Sequence, residues 1–300
     1  MRSNLFISAA ARFGLASLIL FICAGVVVSQ NKADVKVKVD KAVKAEIKAG
    51  QREFCSSQSW SGDNRVSFND LRETNIPSAG TLNIDAGRNG GIKVKGEDRS
   101  DVLLRACVQA WGESDAAARN AAGSVRISTS GGVVKAEGID DTRFSVSYEA
   151  RVPHNSNLKL TAHNGGISIV SVEGVLEFET LNGGINLSDV AGDVRGRTTN
   201  GGLNVTLAGQ TWKGSGLDVS TTNGGVRLVL PDGYAANIET GTVNGGFRSE
   251  FTGLSVTTED VKGSWGNRMK EVKTSINGGG PLVRATTKNG GVQISKSGSY

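Results

Sequence analysis

Beyond residue 80, apolar and polar residues alternate with a period of two, and the alternation restarts at each copy of one triplet, Asn-Gly-Gly. The triplet begins at Asn89, Asn164, Asn182, Asn200, Asn223, Asn244, Asn277 and Asn289, with a degenerate copy at Ser130-Gly131-Gly132. With each Asn as position zero, position −6 is Leu158, Leu176, Val194, Leu217, Ile238 and Val283. Position −4 is Leu160, Phe178, Gly196, Val219, Thr240 and Ala285, and position −2 is threonine in five of six repeats. Apolar residues return at +3 (Ile167, Ile185, Leu203, Val226, Phe247, Val292). A period of two marks a strand with one buried face, so each repeat reads as strand, corner, strand. Asn and Gly tolerate positive φ, which predicts a tight turn at the triplet.

Successive spacings from Asn164 of 18, 18, 23 and 21 residues match one coil of two short strands and two turns. One coil cannot bury its apolar row, whereas stacked coils bury it continuously. The predicted fold is therefore all-β: a single-stranded parallel β-solenoid, right-handed by the general preference of parallel crossovers. Each Asn shares the parity of the inward row. Asn164, Asn182, Asn200, Asn223 and Asn244 are therefore expected inside the corner, stacked as a structural ladder. On the outward row, Lys159, Glu177, Arg195 and Asp218 alternate in sign, and Glu179 lies beside Arg197, which predicts register-setting pairs between coils.

Ahead of the regular coils, residues 56 to 80 read as polar and turn-rich, and Thr81 to Lys95, Val102 to Trp111, Val125 to Ile127 and Phe144 to Val152 as strands. Ser114 is placed to cap a short helix from Asp115 to Ala122, which would protect the open end of the solenoid. The expected organisation is a signal peptide over 1–29, a Lys-rich linker over 30–50, an N-terminal β region with the cap helix over 51–157, and the repeat solenoid over 158–300. Residues 81–300 are expected to form one continuous domain.

The leader reading rests on Arg2 and Arg12 ahead of an apolar run from Phe13 to Val28, with cleavage after Ser29, the alternative being an uncleaved membrane anchor. It predicts an exported protein, periplasmic, cell-surface or secreted, with no integral membrane segment once the leader is removed. Cys55 and Cys107 would then meet oxidising conditions and are a candidate disulfide, the alternative being two separate buried thiols. The pI of 9.1 suggests a nucleic-acid partner until the charges are apportioned. Residues 1 to 50 hold eight of the 34 Lys and Arg and three of the 29 Asp and Glu, leaving 26 of each sign in the body. No nucleic-acid partner is therefore expected.

Candidate chemistry is sparse. The two histidines, His154 and His163, belong to no nucleophile motif, no G-x-S-x-G is present, and the residues after each glycine pair do not fit a calcium repeat. No catalytic residue, metal ligand or cofactor is expected. The longer coils carry the insertions GQTWKGSG and PDGYAAN, which place Trp212 and Tyr234 at nearly the same phase of successive coils, flanked by Lys213 and Asp232. These four form a candidate ligand edge. Its rings would either stack on sugar or fold back over the solenoid as a lid.

The succession VSYEARVP, LKLTAHNGGISI, GVLEFETLNGGINL, GDVRGRTTNGGLNV, LDVSTTNGGVRLVLPDG and IETGTVNGGF resembles the bacterial adhesin domain family of unknown function, from about Asn83 onward. The resemblance implies an exported β-solenoid of the cell envelope with no established catalytic residues. The chain departs from the pattern in the irregular stretch 252 to 276. Three functions are carried forward: a non-catalytic adhesin-like interaction or scaffold protein with a protein or glycan partner in the envelope, a purely structural envelope solenoid, and a glycan-active enzyme. The first is the leading reading.

Overall fold

The computed structural model describes residues 54–55, 65–78, 80–138, 143–251, 257–260 and 268–297. The leader and the linker lie outside the described residues. The chain begins with β1 (Val66–Pro77), β2 (Thr81–Asp85), β3 (Ile92–Glu97), β4 (Asp101–Gly112), α1 (Asp115–Ser124), β5 (Arg126–Ser128), β6 (Val133–Glu137) and β7 (Phe144–Pro153). Coils of two strands follow: β8 (Asn157–Ala162) with β9 (Ile167–Val170), β10 (Glu173–Asn182) with β11 (Ile185–Ser188), and β12 (Ala191–Asn200) with β13 (Leu203–Thr206). Next come β14 (Gly216–Asn223) with β15 (Val226–Leu230) and β16 (Ala236–Asn244) with β17 (Phe247–Ser249). The hairpin strands β18 (Thr257–Asp260) and β19 (Arg268–Ile276) precede a last coil, β20 (Leu282–Asn289) with β21 (Val292–Lys296).

The strands form two long sheets. One runs β1-β4-β7-β3-β9-β11-β13-β15-β21-β17 and the other β18-β19-β16-β20-β14-β12-β10-β8-β2-β6-β5. Neighbouring coils pair in parallel, as in Leu176↔Val194 and Ile185↔Leu203. Antiparallel pairs enter where β4 pairs with β1 and β7 at one end of the first sheet, and where β19 pairs with β16 and β18, and β5 with β6, at the two ends of the second. The architecture is thus mostly β, two-sheeted, mixed and solenoid-like, which corrects the expectation of a single parallel stack. The inward rows of the two sheets close on each other: Leu158, Leu176, Val194 and Leu217 on one side, Ile167, Ile185, Leu203 and Val226 on the other, all buried. Gly196 interrupts the inward row because the Phe178 ring fills its place, and a Cβ there would overlap that ring.

Coil order in space departs from coil order in the chain. The last coil is inserted between its predecessors: β20 pairs with β14 on one side and β16 on the other, and β21 with β15 and β17. The outward charges follow this spatial order. Lys159, Glu177, Arg195, Asp218, Arg284, Glu239 and Lys273 are successive cross-strand neighbours, and their signs alternate without a break. Arg284 reaches Glu239 at 2.9 Å and Asp218 at 3.9 Å. In chain order Asp218 and Glu239 would have been adjacent like charges.

At the other end, β1 is a regular twelve-residue strand where a turn-rich segment was expected. Its alternation is masked in the sequence because Asp70, Arg72 and Thr74 occupy one face. The polar residue Arg72 is used by α1: its guanidinium bonds the carbonyls of Ala122 and Val125, which close the helix. The helix is capped by Ser114, whose Oγ accepts from the Ala117 amide at 3.2 Å, and it packs on β1 and β4 through the buried Ala118 and Ala122. Cys55 is joined to Cys107 on β4. Beside it, the Phe54 ring lies 5.3 Å from the guanidinium of the buried Arg105, which also pairs with Glu149 at 2.6 Å.

Candidate interaction surface

The T-x-N-G-G corner resolves into four columns with separate duties. Threonine at −2 is buried: Thr180, Thr198, Thr221, Thr287 and Thr242 donate to the carbonyls of Gly165, Gly183, Gly201, Gly224 and Gly290 at 2.7 to 2.8 Å. Each bond joins one coil to the next and satisfies a hydroxyl that burial would otherwise leave unpaired. The asparagines form a continuous ladder in the spatial order 89, 164, 182, 200, 223, 289, 244. Each Nδ2 donates to the preceding Oδ1 at 2.7 to 2.9 Å.

The ladder faces outward, contrary to the parity argument. Strand alternation ends at the corner: His163 with Asn164, Leu181 with Asn182, and Thr222 with Asn223 are consecutive exposed pairs. Asn277 stands apart from the ladder. It takes a left-handed conformation (φ 47) and bonds the Tyr234 carbonyl at 2.8 Å.

The two glycines of each corner differ. A Cβ at the first glycine of the ladder corners, for example Gly183, Gly201, Gly224 or Gly245, would overlap the backbone of the adjacent coil. Close approach, and not positive φ, therefore demands glycine there. The second glycines of the later coils are less confined; the tightest of them is Gly225, where a Cβ would sit 3.3 Å from the Gly291 carbonyl oxygen. A Cβ at Gly202 or Gly291 would sit 3.6 or 3.5 Å from its nearest neighbour, and at Gly246 nothing lies within 4 Å. These bare positions form the floor of a groove of about 560 Å³, walled by Asn204, Arg227, Gln293 and Arg248.

The edge predicted from the insertions is assembled differently. Trp212, Lys213 and Tyr234 line one cleft of about 260 Å³ with His154, Ser171 and Asp189. The two rings are only 3% and 1% exposed, so their faces are not open for stacking. The indole N–H is committed to the Gly192 carbonyl at 3.0 Å, and burial pushes the Tyr234 phenol up to about 12. Lys213 remains exposed, whereas Asp232 is drawn to Lys296 at 2.9 Å. The lid alternative describes this geometry. His154 accompanies the cleft wall with Nδ1 against the Ser171 carbonyl at 2.8 Å, and Ser171 Oγ donates to Asp189 at 3.1 Å.

A third surface is the outward face of the β8-β10-β12-β14 sheet, a groove of about 490 Å³ lined by Lys159, Glu177, Glu179, Arg195, Arg197 and Asp218. Part of its charge is tied within the protein: Arg197 holds Glu179 at 2.7 Å, Arg195 holds Asp193 at 3.1 Å and Arg284 approaches Asp218 at 3.9 Å. Carboxylates held this way are poorly placed for acid–base work. Among the described residues there is no cluster of three or more His, Cys, Asp or Glu placed to hold a metal ion, and no helix long and apolar enough to cross a membrane.

The family model described as Toastrack DUF4097 matches residues 21–279. Among solved structures, the chain is similar to a putative cell adhesion protein from Clostridium sporogenes, at 10% identity and TM-score 0.38, covering 77% of this chain and 100% of that one. It is also similar to a putative adhesin from Bacteroides fragilis, at 9% identity and TM-score 0.34, covering 76% and 97%. A putative lipid binding protein from Parabacteroides distasonis is similar at 9% identity and TM-score 0.29, covering 76% and 96%. No curated protein matches the chain.

Proposed function

Because the chain belongs to the Toastrack DUF4097 family, an adhesin-like domain family of unknown function, we propose that it is an exported, non-catalytic envelope protein whose stiff outer surface binds a glycan or protein of its surroundings. In this reading, residues 1–29 direct export, 30–50 tether the domain, 51–157 cap it, and the two-stranded coils within 158–300 wind right-handed, with the antiparallel strands β18 and β19 joined to them. The Cys55–Cys107 bond supports an oxidising location.

The observation that carries the proposal is the outward asparagine ladder. Seven amides stand in register on one exposed corner, each held by its neighbour, and present a fixed polar array. An array already ordered in the free protein loses little side-chain entropy when a partner docks. The test is a glycan array together with a pull-down from envelope extract, using protein exported from the full-length chain. Retention of a defined glycan or envelope protein is expected. A blank array and pull-down would leave the purely structural solenoid, which the internally paired charges around Arg197 favour.

A further inference from the structure

The Cys55–Cys107 bridge fixes where a pull on the N-terminus enters the fold. The compact unit that holds all the described strands begins at Glu53, just ahead of Cys55. Cys107 lies in the middle of β4, opposite Leu71 of β1 on one side and Ser147 of β7 on the other. Without the bridge, tension would run along the chain to Val66 and load β1, which has β4 as its sole neighbour among the described strands. An edge strand pulled from its end gives up its ladder bonds one after another. With the bridge, residues 56 to 106 lie inside a covalently closed loop and carry no tension. The load then arrives at β4, which can move only against pairs on both flanks.

The side chains around the bridge are arranged to share such a load. Arg105 is buried and, two residues from Cys107, stands on the same face of β4. In register it lies between Glu73 of β1 and Glu149 of β7, and its guanidinium reaches both, Glu149 at 2.6 Å and Glu73 at 3.4 Å. One cation thus ties three strands at a single level. The Phe54 ring, next to Cys55, covers that guanidinium at 5.3 Å, which adds a cation–π contact and keeps solvent screening low. We infer that Phe54, Cys55, Cys107 and Arg105 form a load-bearing clasp, a mechanical function that rests on the tethered envelope role proposed above. Tension on the N-terminal tether is delivered to the centre of a three-strand block, and the edge strand β1 is not peeled. A protein that holds a partner at its surface while its N-terminus is fixed needs this property, since every pull on the partner is returned through the tether.

The experiment pulls the exported protein along two axes in an optical trap, with one handle at the exposed position Thr222→Cys and the other at either the N-terminus or the C-terminus. On the N-terminal axis, Cys55→Ala/Cys107→Ala should lower the first rupture force about twofold, because forced unfolding follows the unfolding barrier and β1 has one neighbour where β4 has two. It should also lengthen the unfolded trace by about 180 Å, the reach of the 52 residues that the bridge spans. On the C-terminal axis, whose load path does not cross the clasp, both forms should rupture at the same force. Arg105→Gln with the bridge intact keeps the test where the cysteine variant does not fold: it should lower the N-terminal force more than the C-terminal force, without a change in length. Equal weakening on the two axes would make the bridge a general stabiliser and overturn the clasp, as would an N-terminal force indifferent to both variants. The glycan array and pull-down decide the binding role separately, so a blank result there beside a preserved difference between the axes removes that role and leaves the clasp.

Discussion

Asn289 donates its side-chain N–H to Oδ1 of Asn223 at 2.7 Å, although Asn244 lies between them in the sequence and donates in its turn to Asn289 at 2.7 Å. The ladder is ordered by space, and its two neighbours on either side of Asn289 show where the last coil was inserted. Because the amides face solvent while the threonines two residues earlier are buried, the two columns should respond differently to mutation.

Thr198→Val should destabilise the protein by about 1–3 kcal/mol, since it leaves the Gly183 carbonyl without the hydroxyl it accepts from. Asn200→Ala should cost about 1 kcal/mol or less, because water replaces its exposed partners. A denaturant titration of both variants measures the order. A larger loss at Asn200 would contradict the outward placement.

The paired glycines give a second contrast. Gly201→Ala should cost about 3 kcal/mol through overlap with the Gly183 backbone, whereas Gly202→Ala should stay within about 0.5 kcal/mol. Thermal unfolding of the two single variants, one residue apart, reads the difference directly.

Much of this was legible beforehand, and the failures are informative. The strand, corner, strand unit followed from period-two burial, as in Leu176, Phe178 and Thr180 on one face of β10. The side on which Asn182 lies did not follow, because a parity count assumes a straight strand and the chain turns at Leu181. The position of the last coil was also missed, since repeats were stacked in chain order. Its signal was nevertheless present: Asp218 followed by Glu239 breaks the charge alternation, and only Arg284 restores it. The groove went unseen because both glycines of the triplet were given the same conformational role, and only their surroundings separate them.

Reversing that charge provides a third test. Arg284→Glu would place three carboxylates on successive strands, beside Asp218 and Glu239. It should destabilise by about 1–2 kcal/mol and by more than Arg284→Ala, which merely removes the pair. Raising the salt concentration should narrow the gap between the two variants. Equal losses at low and high salt would show that Arg284 acts through packing.

The lid makes a fourth. Trp212→Ala should cost about 3–5 kcal/mol, the usual range for emptying a buried aromatic site. Burial also holds the Tyr234 phenol above its ordinary 10.0, at about 12, and raises Tyr148, with the Asp85 charge adding to that effect. A pKa higher in the folded state than in the unfolded one gives stabilisation that is complete below pH 10.0 and is lost as pH rises toward the folded value. Denaturation midpoints should therefore fall between pH 10.0 and about 12, and Tyr234→Phe should reduce the slope. A midpoint that is flat across this range would mean that the phenols titrate alike in both states.

The inserted coil sets the order in which the fold can be completed. A repeat protein commonly grows by adding each new coil to the one just made, so folding can keep pace with delivery of the chain. Here β16 and β17 emerge before the strands that must separate them from β14 and β15. Until Leu282 to Lys296 arrive, the two halves of the stack present matching strand edges with a missing rung between them. Premature closure of that gap would exclude the last coil and put Asp218 against Glu239. That contact would set two carboxylates side by side, whereas in the completed stack Arg284, arriving with the end of the chain, separates them.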